Sequence, residues 1–147
     1  MTDEPRVILL AEDDEGHANL VRRHFQRAGI AYPLVHVGDG QEALDWVRGE
    51  GAYQGRPPGE PALLLLDLKM PRVDGLEVLR QLKADPRTNR IPVVVLTTTD
   101  GPREIDRCYE LGCHLCLTKP LEPEHYVAAL RRVGLVLPTA TWPRGKP

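Results

Sequence analysis

Five short runs of apolar residues limit what this chain can fold into more than any other feature of its sequence. The runs are Val7–Ala11, Leu34–Val37, Leu63–Leu66, Val93–Leu96 and Leu115–Leu117. Most of them are continuous, a pattern typical of strands that are buried on both faces of a parallel sheet. Such a sheet needs a helix between successive strands, because parallel neighbours are joined by a long crossover connection.

The segments between these runs have the spacing of amphipathic helices. The first carries an apolar face and then a helix-stopping Gly29; the face comprises Leu20, Val21, His24, Phe25 and Ala28. Two further helices begin at predicted capping boxes, Asp39 with Glu42 and Asp74 with Glu77. In a capping box, each of the two side chains accepts a hydrogen bond from the other residue's backbone amide.

Prolines mark the first turns of the last two helices. Pro102 and Pro123 each precede a helical pattern, and proline is tolerated at that position. Strand and helix therefore alternate five times, which predicts an α/β domain with one parallel sheet between two layers of helices. Ligand sites in such sheets lie at the carboxyl ends of the strands.

Two segments show neither the continuous apolar pattern of the predicted strands nor the spacing of an amphipathic helix. Gly49–Pro61 is rich in glycine and proline, so we predict a long surface loop there, and Thr139–Pro147 is a polar tail that contains proline.

Composition and charge argue against several classes of protein. The 19 basic and 21 acidic residues leave a formal charge of −2, without the excess of basic residues typical of a nucleic-acid binder. No apolar run is long enough for a membrane span, and the polar N-terminus does not resemble a signal peptide. The odd number of cysteines favours free thiols. We therefore expect a cytoplasmic protein whose partners are neither nucleic acid nor membrane.

Polar side chains collect where four of the predicted strands end. They are Glu12-Asp13-Asp14, Asp67, Thr97-Thr98-Thr99 and Thr118-Lys119-Pro120. Two like charges about 4 Å apart repel by roughly 4 kcal/mol at an effective dielectric constant of about 20, so converging carboxylates need a cation. A site in which the protein supplies only a few oxygen ligands suits Mg²⁺, because this ion keeps several bound water molecules.

Each of these residues also has a purely structural interpretation. Asp14 could be a helix cap, Thr97 an ordinary strand end, and Lys119 a solvated lysine. Asp67 is harder to explain in this way, because a carboxylate directly after four leucines is costly unless it is paired or bound to a metal. The occurrence of such polar residues at all four strand ends favours a functional site.

These residues together resemble the receiver domain of two-component response regulators. The resemblance rests on Glu12-Asp13, Asp67, Thr97 and Lys119-Pro120, and on the segment Leu66–Gly75, and it covers residues 5 to 134. It implies a (βα)5 doubly wound, flavodoxin-like fold with strand order 2-1-3-4-5. The receiver domain would span residues 1–134 and a C-terminal extension residues 135–147.

A narrower resemblance points to one group within that family. The long loop before the third strand, the segment Lys83–Pro86 and the segment Val93–Thr98 are similar to stand-alone receivers that serve phytochrome-type sensor kinases. The resemblance therefore implies a sensor histidine kinase as partner, and the narrower resemblance implies a bacterial phytochrome.

The family resemblance implies a metal site. Asp13 and Asp67 would ligate Mg²⁺ directly, and Glu12 would act through a water molecule. The backbone carbonyl of Lys69 would be the remaining ligand supplied by the protein.

The resemblance also implies roles in phosphoryl transfer. Asp67 would accept a phosphoryl group from a phosphohistidine of the kinase, while Lys119 would neutralise phosphoryl charge. Thr97 would hydrogen-bond a phosphoryl oxygen and move inward when Asp67 is modified. The bond between Lys119 and Pro120 would be cis.

Two positions depart from the family pattern. Cys116 stands where the family usually has the Tyr or Phe that moves with the threonine, so we hypothesise that the signal travels through backbone or dimer contacts instead. Lys69 replaces a small polar residue and could alter the lifetime of the phosphoryl group. For the segment Cys113–Cys116, buried cysteines are favoured over a zinc site, because no second ligand cluster accompanies them.

The end of the chain suggests an assembly. We expect no output domain after residue 134, so that output would be binding by the receiver surface itself. We expect Leu135–Leu137 and Trp142 to be exposed on a monomer, and we predict a homodimer through the last helix, the fifth strand and this tail. The alternative is that the tail folds back over its own core.

Three other functions compete with phosphorylation-dependent signalling. The chain could drain phosphate from its kinase, or it could be an interaction domain that is never phosphorylated. A phosphatase that forms an aspartyl phosphate generally needs a second acidic residue two positions after the nucleophile, and Lys69 occupies that position. We therefore expect a protein that catalyses its own phosphorylation and dephosphorylation only, and not an enzyme.

Overall fold

The computed structural model describes residues 6–56, 60–98 and 101–135, in which five strands alternate with five α-helices. The strands are β1 (Ile8–Ala11), β2 (Leu34–Val37), β3 (Leu63–Asp67), β4 (Val93–Thr97) and β5 (Leu115–Thr118). The helices are α1 (Glu15–Ala28), α2 (Gly40–Arg48), α3 (Gly75–Ala84), α4 (Pro102–Glu110) and α5 (Pro123–Arg132). A short 3-10 helix, Gly51–Tyr53, lies between α2 and β3.

The strands form one parallel sheet in the order β2-β1-β3-β4-β5. The central strands β1, β3 and β4 are buried along their whole length, whereas the edge strands β2 and β5 are partly exposed. Burial along their whole length explains why the sequences of β1, β3 and β4 are almost continuously apolar. The predicted fold class and strand order are confirmed.

Alternation along the strands divides the core into two layers. Leu10, Leu65 and Leu96 face the layer that contains α1 and α5, and their neighbours Ala11, Leu66 and Val95 face the layer of α2, α3 and α4. The central strands thus bury both faces, and because all five strands run parallel, their carboxyl ends lie at the same edge of the sheet.

The predicted capping boxes of α2 and α3 form only in part. Asp39 accepts a hydrogen bond from the Glu42 amide at 2.8 Å, and Asp74 accepts one from the Glu77 amide at 3.0 Å. The reciprocal bonds are replaced by tertiary and local contacts: Glu42 accepts from the Gly38 amide and the Tyr53 hydroxyl, and Glu77 pairs with Arg80.

The predicted apolar face of α1 is wrong at Leu20, whose exposed fraction is 39%. The buried face of α1 is formed by Ala18, Val21, Phe25 and Ala28. Leu20 lies one residue, or about 100°, away from Val21 on the helix, so it faces solvent.

The described residues of the segment predicted as a loop, Gly49–Pro61, are held by specific contacts. The segment contains the 3-10 helix, and the Arg56 guanidinium lies 3.9 Å from the centre of the Trp46 ring. Arg56 Nε also donates to the Trp46 carbonyl oxygen at 2.6 Å. These contacts tie the segment to the end of α2; residues 57–59 lie outside the described part of the chain.

Leu135 is buried, which corrects the expectation that the stretch after α5 is exposed. Its exposed fraction is 8%, and it packs into the core layer of α1 and α5. Its amide donates to the Leu130 carbonyl oxygen at 2.9 Å, which turns the chain back onto the helix. Val136, Leu137 and Trp142 lie outside the described residues. No helix in the described segments is both long and apolar enough to cross a lipid bilayer.

Candidate functional site

The acidic residues at the ends of β1 and β3 meet in one groove. Glu12 and Asp13 follow β1, Asp67 is the last residue of β3, and these strands are neighbours in the sheet. Oxygen atoms of the three carboxylates lie within 4.8 Å of one another. The groove has a volume of about 410 Å³ and is lined by Glu12, Asp13, Asp14, His17, Asp67, Lys69, Thr98 and Lys119.

Lys119 brings a positive charge to these carboxylates from the end of β5. Its Nζ lies 3.4 Å from Glu12 Oε1 and 3.6 Å from Asp67 Oδ1, so one ammonium is shared by two carboxylates. The peptide bond between Lys119 and Pro120 is cis. The structure therefore brings together the acidic and basic residues that the sequence analysis singled out.

The pKa values of the two buried carboxylates, Glu12 and Asp67, are shifted in opposite directions. Burial raises the pKa of Asp67, and the attraction of Lys119 and a hydrogen bond from the Lys69 amide do not cancel the effect, so its pKa lies above the usual range. Burial also raises the pKa of Glu12, but the Asp14 amide, Lys119 and His17 outweigh it and lower that pKa.

We expect Asp67→Asn to stabilise the metal-free protein at neutral pH. Because the pKa of Asp67 is higher in the folded than in the unfolded chain, its ionisation opposes folding as pH rises from the unfolded pKa through the folded one. Removing that charge should therefore raise the free energy of unfolding at pH 7. Thermal unfolding in a metal chelator measures the effect, and the gain should shrink at acid pH. A lower midpoint for the variant at pH 7 would contradict the expectation.

Thr97 ends β4 and is buried, with an exposed fraction of 2%. It is paired with Thr118 of β5, and alternation along β4 places it on the face of Val95, away from the face of Leu96. The groove is lined instead by the exposed Thr98. The inward movement of Thr97 stays a prediction, and Thr99 lies outside the described residues.

The three cysteines lie around α4 and β5. Cys108 and Cys113 are buried, and Cys116 is partly buried and hydrogen-bonded to Cys108. Burial raises the pKa of Cys113 to about 11 and that of Cys116 to about 12, so both are neutral thiols near pH 7. The Cys116 amide donates to the Tyr109 hydroxyl at 3.1 Å, which places an aromatic ring of α4 beside the predicted switch position.

Sequence reasoning missed His17. Its Nδ1 lies 2.7 Å from Glu12 Oε1, the oxygen that also faces Lys119. Asp14 caps α1 by accepting from the Gly16 and His17 amides, and this places His17 in the first turn of the helix beside the groove. The cap at Asp14 was the available signal, because it puts the third helical residue next to the end of β1.

The residues of this groove fit a hard divalent cation. All three candidate side-chain ligands are carboxylates, Asp13 is exposed to solvent, and a single lysine is shared by the two buried ones. An open, oxygen-only site with excess negative charge suits Mg²⁺ or Mn²⁺, which retain water ligands. Among the described residues, this is the one such cluster of three or more potential ligands.

Comparison with known proteins assigns the chain to a family. Residues 8–131 match the response regulator receiver domain. The probable methanogenesis regulatory protein FilR2 of Methanothrix harundinacea is 41% identical over 122 residues, covering 83% of this chain and 77% of that protein. Response regulator Rcp1 of Synechocystis is 40% identical over 122 residues, covering 81% and 82%.

Solved structures agree with this assignment. The bacteriophytochrome response regulator AtBRR superposes with a TM-score of 0.84 at 39% identity, covering 92% of this chain and 97% of that one. The Mn²⁺-bound form of Rcp1 gives 0.75 at 34%, covering 91% and 99%. The phosphorylated cyanobacterial phytochrome response regulator RcpA gives 0.74 at 34%, covering 86% and 89%. The chain is thus a member of the response regulator receiver domain family, and its relatives include stand-alone response regulators.

Proposed function

We propose that this protein accepts a phosphoryl group on Asp67 from the phosphohistidine of a sensor histidine kinase and signals by a phosphorylation-dependent change of its binding surface. The observation that carries this proposal is the position of the Asp67 carboxylate. It is buried at a strand end, 3.6 Å from the Lys119 ammonium and beside the Glu12 and Asp13 carboxylates.

The chemistry follows from the placement of these side chains. An Asp67 oxygen attacks phosphorus, the new oxygen–phosphorus bond forms, and the phosphorus–nitrogen bond to the kinase imidazole breaks, with its electron pair leaving on nitrogen. Lys119 neutralises charge on the phosphoryl oxygens, and the Thr97 hydroxyl donates a hydrogen bond to one of them after moving inward. Because little covalent chemistry is needed, positioning and charge neutralisation supply most of the catalysis.

Asp13, Asp67 and the backbone carbonyl of Lys69 would hold Mg²⁺, with Glu12 acting through water. The bound ion would neutralise phosphoryl charge and favour the ionised form of Asp67. Two relatives support this part of the proposal: one has been solved as an Mn²⁺-bound form and another in a phosphorylated form. The names of the structural relatives favour a phytochrome-type kinase as the phosphodonor.

Incubation of the full chain with acetyl phosphate and Mg²⁺, followed by mass spectrometry, tests the proposal. We expect the mass of one phosphoryl group to be added and then lost by hydrolysis, with no sustained turnover of the donor. Continuous consumption of donor would instead indicate a phosphatase, a function that the Lys69 side chain in the groove disfavours. Absence of labelling would indicate an interaction domain. If labelling occurs but binding to every downstream partner is unaffected, the chain serves as a phosphate sink.

We further propose that the protein is a homodimer formed through α5, β5 and the C-terminal extension. The burial of Leu135 removes one apolar residue from the predicted contact surface, so the contact would rest on the helix, the edge strand and the later residues. Sedimentation at tens of micromolar should show twice the chain mass of 16.4 kDa. A single 16.4 kDa species would refute the dimer.

A further inference from the structure

The loop that follows Asp67 is closed on itself at its base. The Gly75 amide donates to the Leu68 carbonyl oxygen at 2.9 Å and so joins the two ends of the loop. A Cβ atom at Gly75 would overlap the Asp67 carbonyl oxygen, so the start of α3 lies directly against the end of β3. The loop includes Lys69, whose amide hydrogen-bonds the Asp67 carboxylate.

The tip of this loop is strained at Arg72. Its φ is 66°, and it is the one non-glycine residue with a positive φ in the described segments. The Val73 amide donates to the Pro71 carbonyl oxygen at 2.8 Å, which makes a γ-turn centred on Arg72. Turns of this hand are rare and strained for L-residues, so neighbouring contacts must hold the turn in place.

Those contacts come from Asp39, the N-cap residue of α2. Arg72 Nε and Nη2 donate to the two carboxylate oxygens of Asp39, both at 3.0 Å. The same Asp39 carboxylate caps α2 through the Glu42 amide. Bidentate pairs of this kind fix geometry as well as charge.

The backbone of α2 touches the loop at the next residue. A Cβ atom at Gly40 would overlap the Val73 carbonyl oxygen, so the first residue of α2 has to be glycine for the loop to lie this close. The loop is therefore attached to α2 at two adjacent points, by the ion pair of Asp39 and by the backbone contact of Gly40.

We propose that Arg72 and Asp39 are a positioning pair for the metal and phosphoryl site, an inference that rests on the proposed function. Arg72 lies three residues after Lys69, so release of the turn would shift the Lys69 amide and carbonyl relative to Asp67. The pair also connects the groove to α2 and the 3-10 helix after it.

The test measures Mn²⁺ affinity of the full chain from the electron paramagnetic resonance signal of the free ion. We expect Arg72→Ala to weaken Mn²⁺ binding about two- to fivefold, because an exposed ion pair usually contributes a free energy of that size. Arg72→Gly should weaken it less, because glycine holds a positive φ without help. Asp39→Asn keeps the helix cap and should weaken Mn²⁺ binding as much as Arg72→Ala does. The double variant should bind Mn²⁺ no more weakly than either single variant.

The matched control is Arg80→Ala, which removes another exposed bidentate pair, with Glu77 on α3, that does not contact Arg72 or Asp39. It should leave Mn²⁺ affinity unchanged. An Arg72→Ala variant that binds Mn²⁺ as the parent does overturns the proposal, even if its melting temperature falls, since that would be a structural role only. If the parent itself binds no Mn²⁺, the proposed metal site fails and not this inference alone.

Discussion

Asp67→Asn is expected to abolish phosphoryl labelling of the chain by acetyl phosphate. The amide has nearly the same shape as the carboxylate, but it lacks the charged oxygen that attacks phosphorus. Because the other residues of the groove would remain, the loss can be assigned to Asp67, as nucleophile and as metal ligand, and not to a collapsed site. Intact-protein mass spectrometry in the presence of excess Mg²⁺ measures the labelled fraction.

The control for this experiment is Asp74→Asn. Asp74 lies in the same loop and caps α3 by accepting from the Glu77 amide, and asparagine caps helices as well as aspartate does. This variant should be labelled as fully as the parent. Full labelling of Asp67→Asn would show that the acceptor is another residue and would remove the basis of the proposed function.

Asp13→Asn is expected to weaken Mn²⁺ or Mg²⁺ binding by at least about tenfold, since even partners outside the ligand set commonly cost that much. Asp13 is the exposed member of the carboxylate cluster, so its side chain is free to face a hydrated ion. Labelling at limiting Mg²⁺ should fall in parallel and recover in part at high Mg²⁺. Titration calorimetry and the rate of labelling provide the two measurements.

Asp14→Asn supplies a matched control at the next residue. Asp14 also lines the groove, but its Oδ1 accepts from the Gly16 amide at 2.8 Å and caps α1. Asparagine can replace it in that role, so metal affinity should change little. Equal losses in the two variants would mean that general negative charge, and not ligation by Asp13, governs binding.

Much of the fold could be predicted because the hydrophobic periods are local. Continuous runs such as Leu63–Leu66 and Val93–Leu96 predicted central strands, and the structure has them buried from end to end. The site residues could be found for the same reason. Once the strands are placed, Glu12, Asp67 and Lys119 must lie at the same edge of the sheet.

Other features depended on contacts that the spacing of apolar residues along the chain does not reveal. Glu42 forms an incomplete capping box because Gly38 and Tyr53 occupy its oxygens. Leu135 is buried because the chain turns back after α5 and meets the core of the α1 layer. Neither outcome has a periodic signal, since each depends on which partner happens to be near.

The alternation of strands and helices and the polar residues at the strand ends follow from the sequence without knowledge of the fold, because both depend on spacing along the chain. The sharing of charge among these residues depends instead on the folded arrangement. That arrangement placed Lys119 between Glu12 and Asp67, put His17 on the same Glu12 oxygen, and raised the pKa of one carboxylate while lowering that of the other. Electrostatic energies depend on distances of a few ångströms and on burial, and the folded chain alone sets these.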